Sequence, residues 1–294
     1  MPKKAQQPQS NQIIEVKLTE LHPFKNHPFK VLDDELMQQT IDSISQVGVL
    51  SPAVVRPNPN GDGYEIISGH RRLHACEAAG FETMPVIVKD LSDDEAVIFM
   101  VDSNLQRENI LPSERAKAYK MKMEALKHQG KSEKSTFRQN GGKSWTVEKL
   151  SQETGESVRN VERYIRLAGL EPELLEKVDK KEISFTPAVE LASLSREEQQ
   201  GFLDAMDYSQ NTPSLSQAQR IKKLSKSGKC TVEAMREIMS EEKKSDFDKI
   251  TIEPDEIKKY FPRSFTTSQM KNTILKLLEN WTKNRTKKRS NETR

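Results

Sequence analysis

Residues 68–80 read SGHRRLHACEAAG and follow an alternating apolar run, GYEIIS, at residues 63–68. The alternation predicts a strand, and the run from His74 to Ala79 predicts a short helix stopped by Gly80. Between them stand Gly69, His70, Arg71 and Arg72, a turn glycine followed by two guanidinium forks. A helix N-terminus carries unsatisfied N–H groups and partial positive charge, so this junction predicts a place for an anion.

The flanking chain has the pattern of a small α+β domain. IIEVKLTELHPF reads as a strand and its exit, and residues 33–47 as an amphipathic helix with Leu36, Ile41, Ile44 and Val47, stopped by Gly48. PAVVRP and YEIIS flank the turn sequence NPNGDG, a hairpin signal. TMPVIVKDL is a further strand. Ser92 with three acids behind it reads as an N-cap opening another helix. From residue 111 strand signals nearly vanish, and LPSERAKAYKMKMEALKHQG reads as a helix with Pro112 near its start and Gly130 beyond its end. The expected division is a leader at 1–20, the α+β domain at 21–110, an all-helical domain at 111–240, and a linker, small dimerisation segment and basic tail at 241–294.

Charge and cysteine usage narrow the function classes. Residues 115–166 hold 13 Lys/Arg against 6 Asp/Glu, and residues 281–294 hold 6 against 1. Positive charge concentrated there predicts a polyanion partner, with ordinary solvated lysine-rich helices as the alternative. No apolar run approaches the roughly 18 residues of a membrane span, and the polar start MPKKAQQPQSNQ shows no export signal. Two cysteines far apart, Cys76 and Cys230, exclude a disulfide framework and a cysteine zinc site and fit the cytoplasm. GGKS at 141–144 is not a phosphate-binding P-loop, because Phe137 stands where a glycine is required and no strand precedes it. His70 and His74 are four apart but have no evident third ligand. His22 and His27 flank prolines in a turn and read as structural.

TVEKLSQETGESVRNVERYIRL, residues 146–167, has helix-turn-helix spacing. Leu150 is an inward anchor, Ser151 is small at a helix crossing, and Gly155 falls in the turn where positive φ is expected. Val158, Val161, Ile165 and Ala168 are expected on the inner face of the second helix, with Arg159, Asn160 and Arg163 outward. Arginine pairs with guanine and asparagine with adenine in the major groove, so these three are the candidate base readers. Gln152 and Ser157 are candidate phosphate contacts near the helix ends. On the last predicted helix, Met270, Ile274, Leu277, Leu278 and Trp281 share one face, which predicts burial in a second copy.

GVLSPAVVR, SGHRRLHA and SNLQRENILPSERA resemble, in order and spacing, the three signature segments of the ParB/Spo0J partition-protein family. The resemblance runs from about residue 21 to about residue 194 and includes the helix-turn-helix. It implies a ParB/sulfiredoxin-like α+β domain, a helix-turn-helix domain and a dimer. It further implies a palindromic centromere-like DNA site, CTP with magnesium, and a clamp that closes and slides on DNA for plasmid or chromosome segregation. The implied nucleotide contacts are Gly48, Ser51, Pro52 and Arg56 from the first segment, Gly69, His70, Arg71 and Arg72 from the second, and Asn104, Gln106 and Arg107 from the third. Asn104 is also the implied magnesium ligand.

Two departures bear on catalysis. His70 and Ser103 stand where the family usually has glutamates, and imidazole and hydroxyl are poor magnesium ligands beside a carboxylate. CTP hydrolysis is therefore expected to be weak or absent, leaving a dimeric DNA-binding regulator without turnover as the alternative. A sulfiredoxin- or serine-kinase-like phosphotransfer enzyme shares the fold, but Cys76 falls inside a helix rather than in the phosphate loop. Lys3 and Lys4 make a ParA-type ATPase an implied partner, and the basic tail implies non-specific DNA affinity that falls with salt.

Overall fold

The computed structural model describes residues 12–107, 109–132, 142–241, 260–262 and 264–292. The chain forms two compact units, residues 1–241 and 242–294.

The first unit begins with a five-stranded sheet of spatial order β1-β5-β3-β4-β2. The strands are β1 (Ile13–Lys17), β2 (Leu21–Pro23), β3 (Ala53–Pro57), β4 (Tyr64–Ser68) and β5 (Thr83–Val88). β1 pairs antiparallel with β5 and β3 with β4, whereas β3–β5 and β2–β4 are parallel. β1 and β2 are opposite edges, yet only a 3-10 turn, Leu18–Glu20, joins them. Four residue steps reach at most about 14 Å, while four strand spacings in a flat sheet measure about 19 Å. The sheet must curl for its edges to be joined. IIEVKLTELHPF therefore supplies two edge strands rather than one strand with an exit.

β4 forms as expected but is buried on both faces rather than alternating between core and solvent, with Glu65, Ile66 and Ile67 consecutively buried. Ile66 faces a core with Val55, Met84, Val86 and residues of α1 (Glu35–Val47) and α2 (His70–Ala78). Ile67, one residue on, faces a core with Met100 and Val101 of α3 (Asp93–Leu105), closed by Phe24 and Phe29. Adjacent strand residues point to opposite faces, so α1 and α2 cover one side and α3 the other. Ser92 caps α3 in a full capping box with Glu95.

The helical part runs α4 (Pro112–Ser132), α5 (Gly142–Thr154), α6 (Val158–Leu167), α7 (Pro172–Asp179), α8 (Phe185–Leu191), α9 (Arg196–Ser209), α10 (Leu215–Lys226) and α11 (Val232–Ser240). α4 continues through Gly130 instead of stopping before it. Its middle packs Tyr119 against Val147, Leu150 and Val161, while α7–α11 share a separate core around Leu174, Leu191 and Phe202. In the second unit, α12 (Thr267–Glu292) exposes Leu277, Leu278 and Trp281, which with Ile274 border a shallow groove. Residues 1–11 with Lys3 and Lys4, residues 133–141 and the side chains of the basic tail lie outside the described residues, whereas β1 and the 3-10 turn occupy the rest of the expected leader at 1–20.

Candidate functional site

The expected anion loop forms, with α2 starting four residues earlier than its sequence pattern indicates. Gly69 is the N-cap at φ 120°, and Leu73 N–H donates to Gly69 O at 3.0 Å. His70, Arg71 and Arg72 therefore occupy the first helical turn, where the N–H groups have no helical acceptor. A side chain at Gly69 would strike β3, since a Cβ there would lie 2.7 Å from the Ala53 Cβ. Glycine lets the helix start against the strand.

Beside this turn lies a cavity of about 880 Å³. Arg71, Arg72, Arg107 and Lys30 bring four cationic side chains to it, and Gly48 closes the end of α1 at φ 74°. Arg72 donates to Ser51 O at 2.5 Å and Pro52 O at 2.7 Å, pinning the first signature segment to the second. Burial lowers the guanidinium pKa values of Arg72 and Arg107, and the Arg71 charge lowers that of Arg107 further. Both stay protonated at neutral pH. Crowded, partly desolvated guanidinium groups are the electrostatic complement of a phosphate chain.

The sequence reading missed part of this wall. Lys30 and Asn109 come from loops, Gln39, Thr40 and Ser43 from α1, and Glu114 from α4. Polar spacing of one and four residues on α1 is the signal that was available. Several expected contacts lie elsewhere. Arg56 does not line the cavity: it is 5% exposed, pairs with Glu65 at 2.6 Å and Asp93 at 2.7 Å, and ties β3 to β4 and α3. Asn104 is 3% exposed, donates to Met100 O at 2.8 Å and is not among the lining residues. Gln106 lines a different polar cleft, with Asp102, Arg115, Tyr119 and Glu156.

His70 is also directed into packing. Its ring stacks on His27 with centroids 3.8 Å apart, and Nε2 accepts from the Phe24 N–H at 3.5 Å. Burial, then the neighbouring His27 and Arg107 charges, pull its pKa down to about 3. His27 Nδ1–H donates to Phe29 O at 2.7 Å, and its pKa is lowered by burial. Both rings are neutral at pH 7. Ser103 donates to Met100 O. Cys76 is fully buried and burial raises its thiol pKa, which fits a core residue and not a nucleophile.

The carboxylates lining the cavity do not fit a protein-held magnesium centre. Glu114 accepts from Lys30 N–H and Leu111 N–H, while Asp34 caps α1 through Met37 N–H and faces Arg71 at 3.7 Å. Among the described residues no group of three or more His, Cys, Asp or Glu is arranged to hold a metal ion.

The second candidate surface is the α5–turn–α6 unit. Gly155 makes the turn at φ 71°, Leu150 is fully buried, and Ser151 donates to Glu156 O. Ser157 caps α6 by accepting from Asn160 N–H. Gln152, Ser157 and Arg159 are exposed, and Asn160 is partly so. Val158, expected inside, is 40% exposed because it starts the helix at its solvent end; Val161 and Leu167 take the buried positions. Arg163 lies over the Phe185 ring, 4.7 Å from its centroid, and donates to Thr186 Oγ1.

Comparison with known proteins gives one consistent result. The domain family "ParB N-terminal domain" matches residues 2–105 and "ParB HTH domain" matches residues 138–226. The chain is 33% identical over 186 residues to the chromosome-partitioning protein Spo0J of Thermus thermophilus, covering 63% of this chain and 62% of that protein. It is 32% identical over 166 residues to the stage 0 sporulation protein J of Bacillus subtilis, covering 56% and 52%. The matched stretch thus spans between half and two thirds of these relatives' length. Among solved structures, a C-terminally truncated ParB from Caulobacter crescentus complexed with CTP-gamma-S shows 26% identity and a TM-score of 0.32, covering 63% of this chain and 93% of that one. Among the described residues, no helix is long and apolar enough to cross a membrane.

Proposed function

Because the chain belongs to the ParB family, with that family's N-terminal and helix-turn-helix domains in order, we propose that it is a DNA-binding partition protein that also holds a nucleotide. The observation that carries this reading is the convergence of Arg71, Arg72, Arg107 and Lys30 on one cavity, within the same compact unit as the helix-turn-helix. Arg71, Arg72 and Arg107 receive the phosphates, with the first turn of α2 contributing its N–H groups. Gly48 lines the site, and the Ser51–Pro52 backbone serves it through Arg72, which it holds in place. Gly69, Arg56, His70 and Asn104 hold the scaffold. CTP is the nucleotide that the signature segments imply.

Turnover is slow or absent in this reading. The cavity's two carboxylates, Asp34 and Glu114, accept backbone N–H groups, and the positions of the family glutamates carry His70 and Ser103. Any magnesium would be held by phosphate oxygens rather than by Asn104.

Arg159, Asn160 and Arg163 read base edges and Gln152 and Ser157 contact phosphate. Reaching a base requires Arg163 to leave Phe185 and Thr186. Two copies, joined through the apolar face of α12, present two α6 helices to a palindromic site, and nucleotide binding closes them into a sliding clamp. The setting is nucleoid or plasmid DNA in the cytoplasm, with a ParA-type ATPase as partner.

Calorimetric titration with CTP, ATP, GTP and UTP tests the reading, with and without DNA fragments that the protein recovers from genomic DNA. CTP-selective binding that falls at least tenfold in Arg71→Ala, with DNA recovery retained, supports it. Failure of all four nucleotides to bind would remove the clamp. The variant combining Arg159→Ala and Arg163→Ala should lose preference for the recovered DNA and keep only salt-sensitive background binding.

A further inference from the structure

Glu156 lies in the turn between α5 and α6, and its side chain is 16% exposed. Its carboxylate collects donors from two helices. Oε1 accepts from Arg115 Nη1 at 2.6 Å and from the Tyr119 hydroxyl at 2.9 Å, both on α4. Oε2 accepts from Asn160 Nδ2 at 2.6 Å, on α6. Arg115 and Tyr119 are four apart on α4, as Asn160 and Tyr164 are on α6, so each pair shares one helix face. The Tyr164 ring completes the cluster, 5.5 Å from the Arg115 guanidinium carbon and edge-on to Tyr119 at 5.7 Å. Burial, followed by the bond to Glu156, raises the Tyr119 pKa, so the phenol remains a donor.

This arrangement settles the orientation of the Asn160 amide. An ionised carboxylate has only acceptors, so the side-chain nitrogen, not the carbonyl oxygen, must face Glu156. One N–H is committed to Glu156, leaving the second N–H and Oδ1. An adenine edge in the major groove asks for that pair, a donor to N7 and an acceptor from N6. Asn160 is the third residue of α6, in the N-terminal turn that a recognition helix presents to base edges.

We propose that Glu156 is a positioning residue which fixes the Asn160 amide for reading an adenine, and so sets one A·T position of the DNA site. The proposal rests on the DNA-reading function proposed above. Glu156 itself touches no DNA. Arg115 and Tyr119 hold the carboxylate from the α4 side, so that it does not turn outward to compete for solvent.

The test uses the full chain and selection from randomised duplex DNA. Anisotropy titrations follow on the recovered site and on versions in which each A·T pair in turn becomes G·C. In the wild type, one A·T position should carry about tenfold to a hundredfold discrimination. Asn160→Ala should abolish it, as should Glu156→Gln, whose amide can donate to Asn160 Oδ1 and turn the group over. Glu156→Gln on top of Asn160→Ala should cause no further loss at that position. Glu156→Gln leaves Arg115 without its anion, so Glu156→Gln with Arg115→Gln is the second variant should the first not fold.

A merely structural role would weaken binding to every duplex equally and leave the relative preference intact. Retention of wild-type discrimination at every position in a folded Glu156 variant would overturn the assignment while leaving the DNA-reading function standing. If the wild type recovers no preferred sequence, the DNA-reading function fails and the assignment falls with it.

Discussion

Gly69 adopts φ 120°, ψ 14°, and a Cβ added there would lie 2.7 Å from the Ala53 Cβ and 3.2 Å from its Cα. Gly69→Ala therefore meets two separate costs. Holding a non-glycine residue in that backbone region costs about 1–3 kcal/mol, and overlap with a packed strand costs about 1–3 kcal/mol more. Partial movement of β3 relieves some of the overlap, so a total of about 3 kcal/mol is expected. In a unit of this size that lowers Tm by about 6–12 °C. The displaced α2 start would also carry Arg71 and Arg72 off the cavity, weakening nucleotide binding at least tenfold. Gly80→Ala separates the two costs, because Gly80 has φ 76° with nothing within 4 Å of an added Cβ. It should cost about 1–2 kcal/mol, the backbone part alone. Adding Ala53→Gly to Gly69→Ala removes the struck methyl and should recover part of the loss. The assays are urea denaturation and thermal melting followed by circular dichroism. If Gly69→Ala is no worse than Gly80→Ala, or Ala53→Gly gives no rescue, close approach to β3 is not what requires glycine.

Lys122 is 1% exposed and pairs with Asp102 of α3 and with Glu153 of α5, the latter at 2.6 Å. Removing both carboxylates with Asp102→Asn and Glu153→Gln strands a buried cation and should cost about 2–4 kcal/mol in urea denaturation. Lys122→Met should cost under about 1 kcal/mol because both carboxylates reach solvent; the opposite ranking would sink the argument. The His70 pKa near 3 lies below the ordinary histidine value of 6.5. The unfolded chain therefore takes up the proton first as pH falls. His70 thus contributes full stability above pH 6.5 and loses it from pH 6.5 toward pH 3, at up to about 1.4 kcal/mol per pH unit. Urea midpoints of the wild type and His70→Gln should converge between pH 7 and pH 4, and a gap that stays constant would contradict the buried, neutral assignment.

The sequence made local devices legible and left partners hidden. Ser92, Gly155 and the apolar run of YEIIS act within a few residues, and each reads directly as a cap, a turn or a strand. Arg56 belongs to the other kind. A guanidinium in a signature segment reads as a phosphate contact, but the β3–β4 register sets it opposite Glu65 across a hairpin loop, and the pair closes on itself. The start of α2 was misplaced for a related reason. The basic run after Gly69 reads as an anion loop although arginine is a good helix former, and the Leu73 N–H bond to Gly69 O, with Gly69 packed on Ala53, shows that the helix begins directly at the strand. The α1 residues Gln39, Thr40 and Ser43 mark a polar stripe in the sequence, but nothing local says that the stripe faces a cavity rather than solvent.

α4 shows how much follows from one helix being shared. Glu114, in its first turn, lines the cavity and accepts the Lys30 N–H. Arg115, also in the first turn, and Tyr119, one turn further on, hold Glu156 at the helix-turn-helix turn, and Lys122 clasps Asp102 to Glu153. A rigid helix rises about 1.5 Å per residue, so residues 114 and 122 lie only about 12 Å apart along its axis. The cavity wall and the support of α6 are thus fixed by one element with little slack between them. Substitutions in α4 are for that reason poor tools for separating nucleotide binding from DNA reading, whereas Arg71 and Asn160, each on its own helix, separate the two cleanly.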